Sequence, residues 1–424
     1  MDRSELYYRN FVSILKEELR PAMGCTEPIA IAYAAAKARA VLGAVPDRIE
    51  VEVSGNIIKN VKSVVVPHTG GARGIQAAAA AGAVAGDADA ELEVLSRVTP
   101  QDIEDMHAFL DTVPIEVRCA DTPHLLDIMV TAHRGGESAF VRIAGQHTNV
   151  VCLRRGEETL FEKEIVEQGG EQTDRECLSV ERIVDFAESV ELSDVRDVLE
   201  RQIELNMVIA EEGLRGSYGA NIGKTLLSQN EGDLNYKLRA YAAAASDARM
   251  NGCELPVVIN SGSGNQGITA SVPVIVYARE KGVSHEELLR ALVVSNLVTI
   301  HLKTGIGCLS AYCGAVSAGC GAGAGVAYLQ GGRFHMIAHV IVNSVAVTSG
   351  MVCDGAKASC AAKISASVDA GLLGVAMYRT HNQFFSGEGI VKKGVENTIA
   401  NVSRLARFGM EQTDKEIIRL MMEN

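Results

Sequence analysis

Residues 305–330 run for twenty-six positions without a charge, and a second uncharged run follows from Phe334 to Cys353. In water such runs must be buried on nearly all sides, whereas in a bilayer each is long enough to span the hydrocarbon. Their composition separates the two cases. The first is mostly Gly, Ala, Ser and Cys, which are weakly apolar, and the second holds His335, His339, Asn343 and several hydroxyls. A pair of buried central helices is therefore expected, with a membrane pair as the rival that fractionation would settle. The same economy of side chain extends over the whole chain. Trp is absent and aromatics make up 4% of residues. The core must be built from small side chains, with helices packed close together.

At 424 residues the chain is long for one domain. Helical patterns are expected over 4–19 and 28–42, on either side of a short loop holding Cys25. Residues 48–67 alternate with the period of strands around a turn at Ser54-Gly55-Asn56. Helices follow at 73–86 and 100–111. From 114 to 162, short β-rich runs separated by turns such as "RGGE" and "RGEE" read as an antiparallel sheet with one wet face. Residues 165–178 read as a loop. Helices are then expected at 180–190, 193–213, 234–250, 285–301 and 334–349, interrupted by a glycine-rich loop at 253–274. The fold class is α+β. A small antiparallel sheet domain (45–165) is inserted into a larger helical domain (1–44 and 166–424) that is rich in small residues and carries the cysteines.

The net charge of −13 argues against nucleic acid or an anionic membrane as a partner. The N-terminal "MDRSELYYRNFVSIL" lacks the basic-then-apolar order of a signal peptide, so a cytoplasmic, reducing setting is expected for the ten cysteines. There, clustered cysteines serve more often as metal ligands or catalysts than as disulfides. Five of them (308, 313, 320, 353 and 360) fall near the uncharged runs. Cys313 and Cys320 are seven apart, which on one helix separates them by roughly 10 Å, too far to hold one small cluster together. Cys353 and Cys360 share that spacing and can act together only if Asp354-Gly355 breaks the helix. Five small buried residues in tight helix packing is the alternative. No C-x-x-C pair is present, which disfavours a zinc ribbon.

Two glycine loops, "PHTGGARG" (67–74) and "NSGSGNQG" (260–267), suit a carboxylate or phosphate through backbone N–H groups, or are ordinary tight turns. Neither matches a Walker A loop or a dinucleotide fingerprint. His68 lies in the first. His301 and Lys303 precede the cysteines. Lys303 reads either as a partly desolvated base or as a helix C-terminal cation.

In order along the chain, "RPAMGCTEPIAIA", "SGNIIKN", "PHTGG", "NSGSGNQG", "LKTGIGCLSAYCGA", "MVCDGAKASCAAK" and "FSGEGIV" closely resemble the L-cysteine desulfidase family, over nearly the whole length. That family is related to the catalytic chain of iron–sulfur L-serine dehydratases. The resemblance implies a [4Fe-4S] cluster with one iron left open, and no pyridoxal phosphate. By motif it makes Cys313 and Cys353 ligands, with Cys360 favoured over Cys25 as the third. Cys25 then stands beside the open iron, at a helix N-terminus expected to lower its pKa. The alternative is that "GCTEP" merely positions Thr26 or Glu27.

The implied reaction is α,β-elimination of L-cysteine to sulfide, ammonia and pyruvate. The base is drawn from Lys303, His301 and His68. Asn56, Asn60, Thr69, Ser261 and Asn265 are expected to bind a small amino-acid substrate. L-Serine dehydration by the same chemistry and a non-catalytic iron–sulfur or small-ligand sensor are the rivals. A homodimer is left open.

Overall fold

The computed structural model describes residues 1–3, 5–165, 173–307 and 310–423. Cys308 and half of the loop expected at 165–178 lie outside these residues. The first half of the chain runs through α1 (Leu6–Glu18), β1 (Pro21–Met23), α2 (Thr26–Leu42), β2 (Arg48–Val53), α3 (Gly55–Val61), α4 (Gly74–Ala85) and α5 (Pro100–Thr112). It continues through β3 (Ile115–Cys119), β4 (Asp127–Arg134), β5 (Glu137–Ala144), β6 (Val150–Arg155) and β7 (Glu158–Glu162). The second half holds α6 (Val180–Ser189), α7 (Arg196–Arg215), α8 (Ile222–Gln229), α9 (Leu234–Met250), β8 (Pro256–Val258), α10 (Gly264–Lys281) and α11 (His285–Ile306). It closes with α12 (Gly314–Leu329), α13 (Phe334–Thr348), α14 (Cys360–Arg379), α15 (Val395–Arg404) and α16 (Glu411–Met422). The fold is α+β, as expected.

Six strands form one sheet in the order β3-β2-β4-β5-β6-β7. All its pairings are antiparallel except β2 with β3, which is parallel. The sheet is thus mixed rather than purely antiparallel. A parallel pair needs a long crossover, and α3, α4 and α5 supply it. Ile49, Val51 and Val53 of β2 face the core while Glu50 and Glu52 point outward, giving the one wet face that alternation requires. Helices α2 and α4 cover the packed face. They cross so closely that a Cβ on Gly82 would lie 2.0 Å from the Ala32 carbonyl oxygen. Helix α2 therefore shares a hydrophobic cluster with the sheet, whereas α1 packs into the helical cluster.

In the helical part, α12 is central and is surrounded by α10, α11, α13 and α14. Ala315 to Tyr328 are all buried. Its glycines serve as contact points, since a Cβ on Gly319 would lie 2.4 Å from the Ser367 carbonyl. The uncharged runs thus hold helices of 16 and 15 residues, the first interior and the second half-buried, both short of the ~20 a bilayer needs. Among the described residues only α14 is long and apolar enough to cross a membrane, and 56% of its apolar window is buried in the fold.

Two local expectations are corrected. Residues 55–61 form a helix rather than continuing the strand pattern. Ile57, Ile58 and Val61 have helical spacing and are all buried, which short-range alternation concealed. Residues 253–274 are not one loop but strand β8, a tight turn and the start of α10. The glycines there let the helix lie on its own strand, for a Cβ on Gly267 would fall 2.0 Å from the Val258 carbonyl oxygen.

Candidate active site

The motif segments meet where the sheet and helical clusters adjoin. Strand β1 pairs antiparallel with β8, matching Pro21 with Val258. This sets the Cys25 loop beside the turn that opens α10. Gly24 turns the chain at φ +60°, and its α-carbon is pressed against Pro67, 2.5 Å from where a Cβ would be. The "GCTEP" and "PHTGG" loops therefore touch.

Cys25 caps the N-terminus of α2 but makes no side-chain capping bond. Instead its thiol donates to Glu27 Oε2 at 3.0 Å. Thr26 Oγ1 donates to the same oxygen at 3.3 Å, and Asn60 Nδ2 to Glu27 Oε1 at 3.1 Å. Burial alone would raise the Glu27 carboxyl, but His147, the Cys25 thiol and Arg249 outweigh it and hold it below the ordinary range. The Cys25 thiol moves the opposite way from expectation. Burial and the Glu27 carboxylate push it well above its ordinary value, and Arg249 offsets this only in part. The helix N-terminus does not produce a thiolate here, because desolvation and a neighbouring anion outweigh the helix field.

Arg249, at the end of α9, ties this loop to α10. One terminal nitrogen donates to the Gly24 carbonyl at 2.8 Å and the other to Asn265 Oδ1 at 3.3 Å. Gln266, one residue further along, packs against Gly314, where a Cβ would meet its side-chain carbon at 2.7 Å. That contact brings the second glycine loop to the residue after Cys313.

Cys313 caps α12 and Cys360 begins α14. The segments around Cys313 and Cys353 are stitched together by a Tyr312–Val352 bridge. The Cys313 N–H donates to the Met351 carbonyl at 3.1 Å and the Cys353 N–H to the Ala311 carbonyl at 2.6 Å. The break expected at Asp354-Gly355 is present: Gly355 has φ +93°, and its α-carbon is packed so tightly on α3 that a Cβ would lie 1.9 Å from the Lys59 carbonyl oxygen. Cys360 Sγ turns back to the Gly355 carbonyl at 3.5 Å.

The three sulfurs lie within electrostatic reach of one another. Burial and then Cys353 push the Cys313 thiol up to about 12. Burial also raises Cys360, and Cys353 adds to it. Lys363 donates to the Val352 carbonyl at 2.8 Å and pairs with Asp354, while Lys357 donates to the Asp354 carbonyl at 2.8 Å. Burial alone would lower the Lys363 ammonium, but Asp354 and the Cys313 and Cys360 sulfurs keep it above its ordinary value. Cys320 points elsewhere, toward the Ile341 carbonyl at 3.8 Å.

The remaining expected residues take varied places. His68, at φ +57°, is held by Glu254, with Nδ1 3.2 Å and the backbone N–H 3.0 Å from Oε1. Thr69 spends its hydroxyl on the Val66 carbonyl at 2.7 Å, and Ser261 donates to Asn260 Oδ1 at 2.9 Å, so both hold their own turns. His301 pairs with Glu396 at 2.7 Å, joining α11 to α15. Lys303 is buried in the last turn of α11. Several participants carried no distinct sequence signal. Arg249 ends an alanine-rich helix, Gln266 lies within a glycine loop, and His147 is in a hairpin turn. Lys363 was accessible by spacing, since it follows Cys360 by three and shares its helix face.

Five buried side-chain atoms without a hydrogen-bond partner among the described residues belong to these segments: Asn56 Oδ1, His68 Nε2, His147 Nε2, Arg249 Nε and Gln266 Oε1. A buried polar atom left unpaired in this way calls for a partner, which an ordered water or a bound group can supply. A donor set of three thiols, flanked by two ammonium groups and with Cys313 and Cys360 at helix N-termini, fits a thiolate-held cluster. Among the described residues no three His, Cys, Asp or Glu side chains stand close enough to hold a single metal ion. That requirement belongs to a mononuclear site, whereas a four-iron cluster sets its thiolates further apart.

The serine dehydratase alpha chain profile matches residues 89–419. The chain is 55% identical to UPF0597 protein DSY1109 of Desulfitobacterium hafniense, covering 100% of this chain and 98% of the relative. It is 50% identical to a UPF0597 protein of Lachnoclostridium phytofermentans over 98% and 100%, and 46% identical to one of Treponema denticola over 100% of each. With most of its length inside that profile, including every segment from Arg249 to Lys363, the chain belongs to the serine dehydratase alpha chain family.

Proposed function

We propose that the chain is a lyase that eliminates the β-substituent of a small amino acid, converting L-cysteine and water to sulfide, ammonia and pyruvate. One observation carries this reading. Three cysteine sulfurs from separate segments lie within electrostatic reach of one another, beside segments holding five unpaired buried polar atoms. Cys313, Cys353 and Cys360 would hold a [4Fe-4S] group. Cys360 is preferred to Cys25 as third ligand because it interacts with both other sulfurs, whereas Cys25 interacts with Glu27 and Arg249. When bound, that group supplies a Lewis-acidic iron at the leaving atom.

The remaining roles fall to the chain itself. Glu27, oriented by Cys25, Thr26 and Asn60, is an anion for the substrate ammonium. Cys25 acts as a neutral hydrogen-bond donor rather than a thiolate. Among the three expected bases, His68 suits proton removal from Cα best. With Nδ1 held by Glu254, Nε2 keeps its lone pair, is buried and has no partner. His301 is already engaged by Glu396. Asn56 and Asn265 complete the polar lining.

The family match favours a second reading, dehydration of L-serine, which differs only in the β atom lost. The test is anaerobic reconstitution with iron and sulfide, followed by the visible spectrum and assays of sulfide and pyruvate. A cluster band with matched sulfide and pyruvate from L-cysteine is the expected result. Pyruvate from L-serine alone moves the assignment to a dehydratase. A cluster without turnover indicates a sensor, and failure to bind iron overturns the cluster reading.

A further inference from the structure

We propose that Arg249 and the N-terminus of α10 form the subsite for the substrate's α-carboxylate, so that the site selects free amino acids over their amides. The inference rests on the elimination reading and gives that site its substrate class.

Arg249 is only 7% exposed, and its two bonded partners, the Gly24 carbonyl and Asn265 Oδ1, are both neutral. Its third donor, Nε–H, is buried and unpaired. A buried guanidinium ordinarily finds a carboxylate that accepts two parallel bonds. The position of the free donor is set by Gly264, the first residue of α10. A Cβ there would lie 2.3 Å from Nε, so the absence of a side chain lets the guanidinium lie directly over the helix end.

That end is itself an anion site. Helix α10 has 18 residues, and Ser263 at its N-cap makes no side-chain capping bond. The first-turn N–H groups lack intrahelical partners and carry the positive end of the helix dipole. Two independent features, a buried cation with a free donor and an uncapped helix N-terminus, thus coincide at Gly264.

The neighbouring unpaired atom has the opposite character. Gln266 is 5% exposed, and its Oε1 is an acceptor without a partner. With Glu27 also in electrostatic reach of Arg249, the lining offers a donor for a carboxylate and acceptors for an ammonium. That is the polarity of an amino-acid zwitterion. Gln266 also packs on Gly314, beside Cys313, which puts this subsite next to the cysteine segments.

The test uses the reconstituted full chain and two substrate pairs, L-serine with L-serinamide and L-cysteine with L-cysteinamide, following whichever acid turns over. In the wild type the acid is expected to exceed the amide in kcat/KM by about 100-fold, as when a buried charged donor loses its partner. Arg249→Gln is expected to bring that ratio to within about tenfold, through a higher KM for the acid with kcat changed less. General damage to the loop affects both substrates alike and cancels in the ratio. If Arg249→Gln does not fold, Arg249→Lys keeps the charge but lacks Nε–H, and a KM for the acid raised about 10-fold is expected. Equal use of acid and amide by the wild type, or discrimination that survives either substitution, overturns the inference and leaves the elimination reading standing. A wild type that turns over none of the four defeats that reading and the inference with it.

Discussion

Glu27 governs the chemistry of the Cys25 loop. Three donors converge on its carboxylate, and one of them is Cys25, whose place at a helix N-terminus by itself favours a thiolate. The outcome follows from magnitudes. A helix N-terminus contributes a fraction of a charge, screened beyond its first turn, whereas full burial beside a whole negative charge shifts a thiol by more. Since the Cys25 pKa is raised, the thiol stays protonated through neutral pH and beyond its ordinary titration range. Alkylation of Cys25 by iodoacetamide at pH 7–8 should therefore lag behind that of exposed Cys119, as read by mass spectrometry of the digested protein. Glu27→Gln removes the second cause of the shift and should speed Cys25 alkylation severalfold. An equal rate in the two proteins would mean that the carboxylate does not control the thiol.

Helices α8 and α9 show how one buried carboxylate can make an element pH-sensitive. Asp247 on α9 accepts from the Gly223 N–H at 2.9 Å, at the first turn of α8, while its other oxygen is buried without a partner among the described residues. Desolvation pushes its pKa up to about 6, against the pull of the Gly223 and Ile222 N–H groups. The folded chain thus holds this proton to about pH 6, and the unfolded chain releases it near pH ~4. Between those values the native state binds more protons, so stability falls as pH rises through the window and stays lowered above it. The penalty is at most roughly 3 kcal/mol, from about two pKa units at ~1.4 each. Asp247→Asn keeps an acceptor for Gly223 and should raise Tm at pH 7, with the gain shrinking toward pH 4. A gain that is constant across this range would place the origin of the effect elsewhere.

At the scale of the molecule, the last helix clasps α3, whose apolar residues belong to the sheet cluster. Helix α16 buries none of its own residues, yet it packs on α3, where a Cβ on Gly55 would meet Ile418 at 2.9 Å. Lys59, 2% exposed, sends its ammonium to Asp414, and Lys62 donates to the Met421 carbonyl. Because α3 also carries Asn56 and Asn60 and supports the Gly355 turn, this clasp fixes the floor of the candidate site. Asp414→Asn leaves a buried ammonium without its counter-charge and should cost on the order of 2–3 kcal/mol, read as a lower midpoint in urea. A midpoint within error of the wild type would show that α16 is not holding α3.

Much of this was legible in the chain itself. The α+β class, the interior helices and the break between Cys353 and Cys360 follow from periodicity, charge and glycine placement, which are local properties. The separation of Cys320 from Cys313 was equally legible, because a helix fixes the relation between residues seven apart. What sequence could not reach depends on residues far apart in the chain. The parallel β2–β3 pair depends on a crossover of three helices, and α3 on apolar positions too few to establish a period. Arg249 meets Gly24 across 225 positions, and Lys59 meets Asp414 across 355. The state of Cys25 required knowing its burial and its neighbours. Desolvation and through-space charge have no signature along the chain, so only the tertiary structure decided that burial and Glu27 raise the Cys25 thiol and which distant side chains meet at the candidate site.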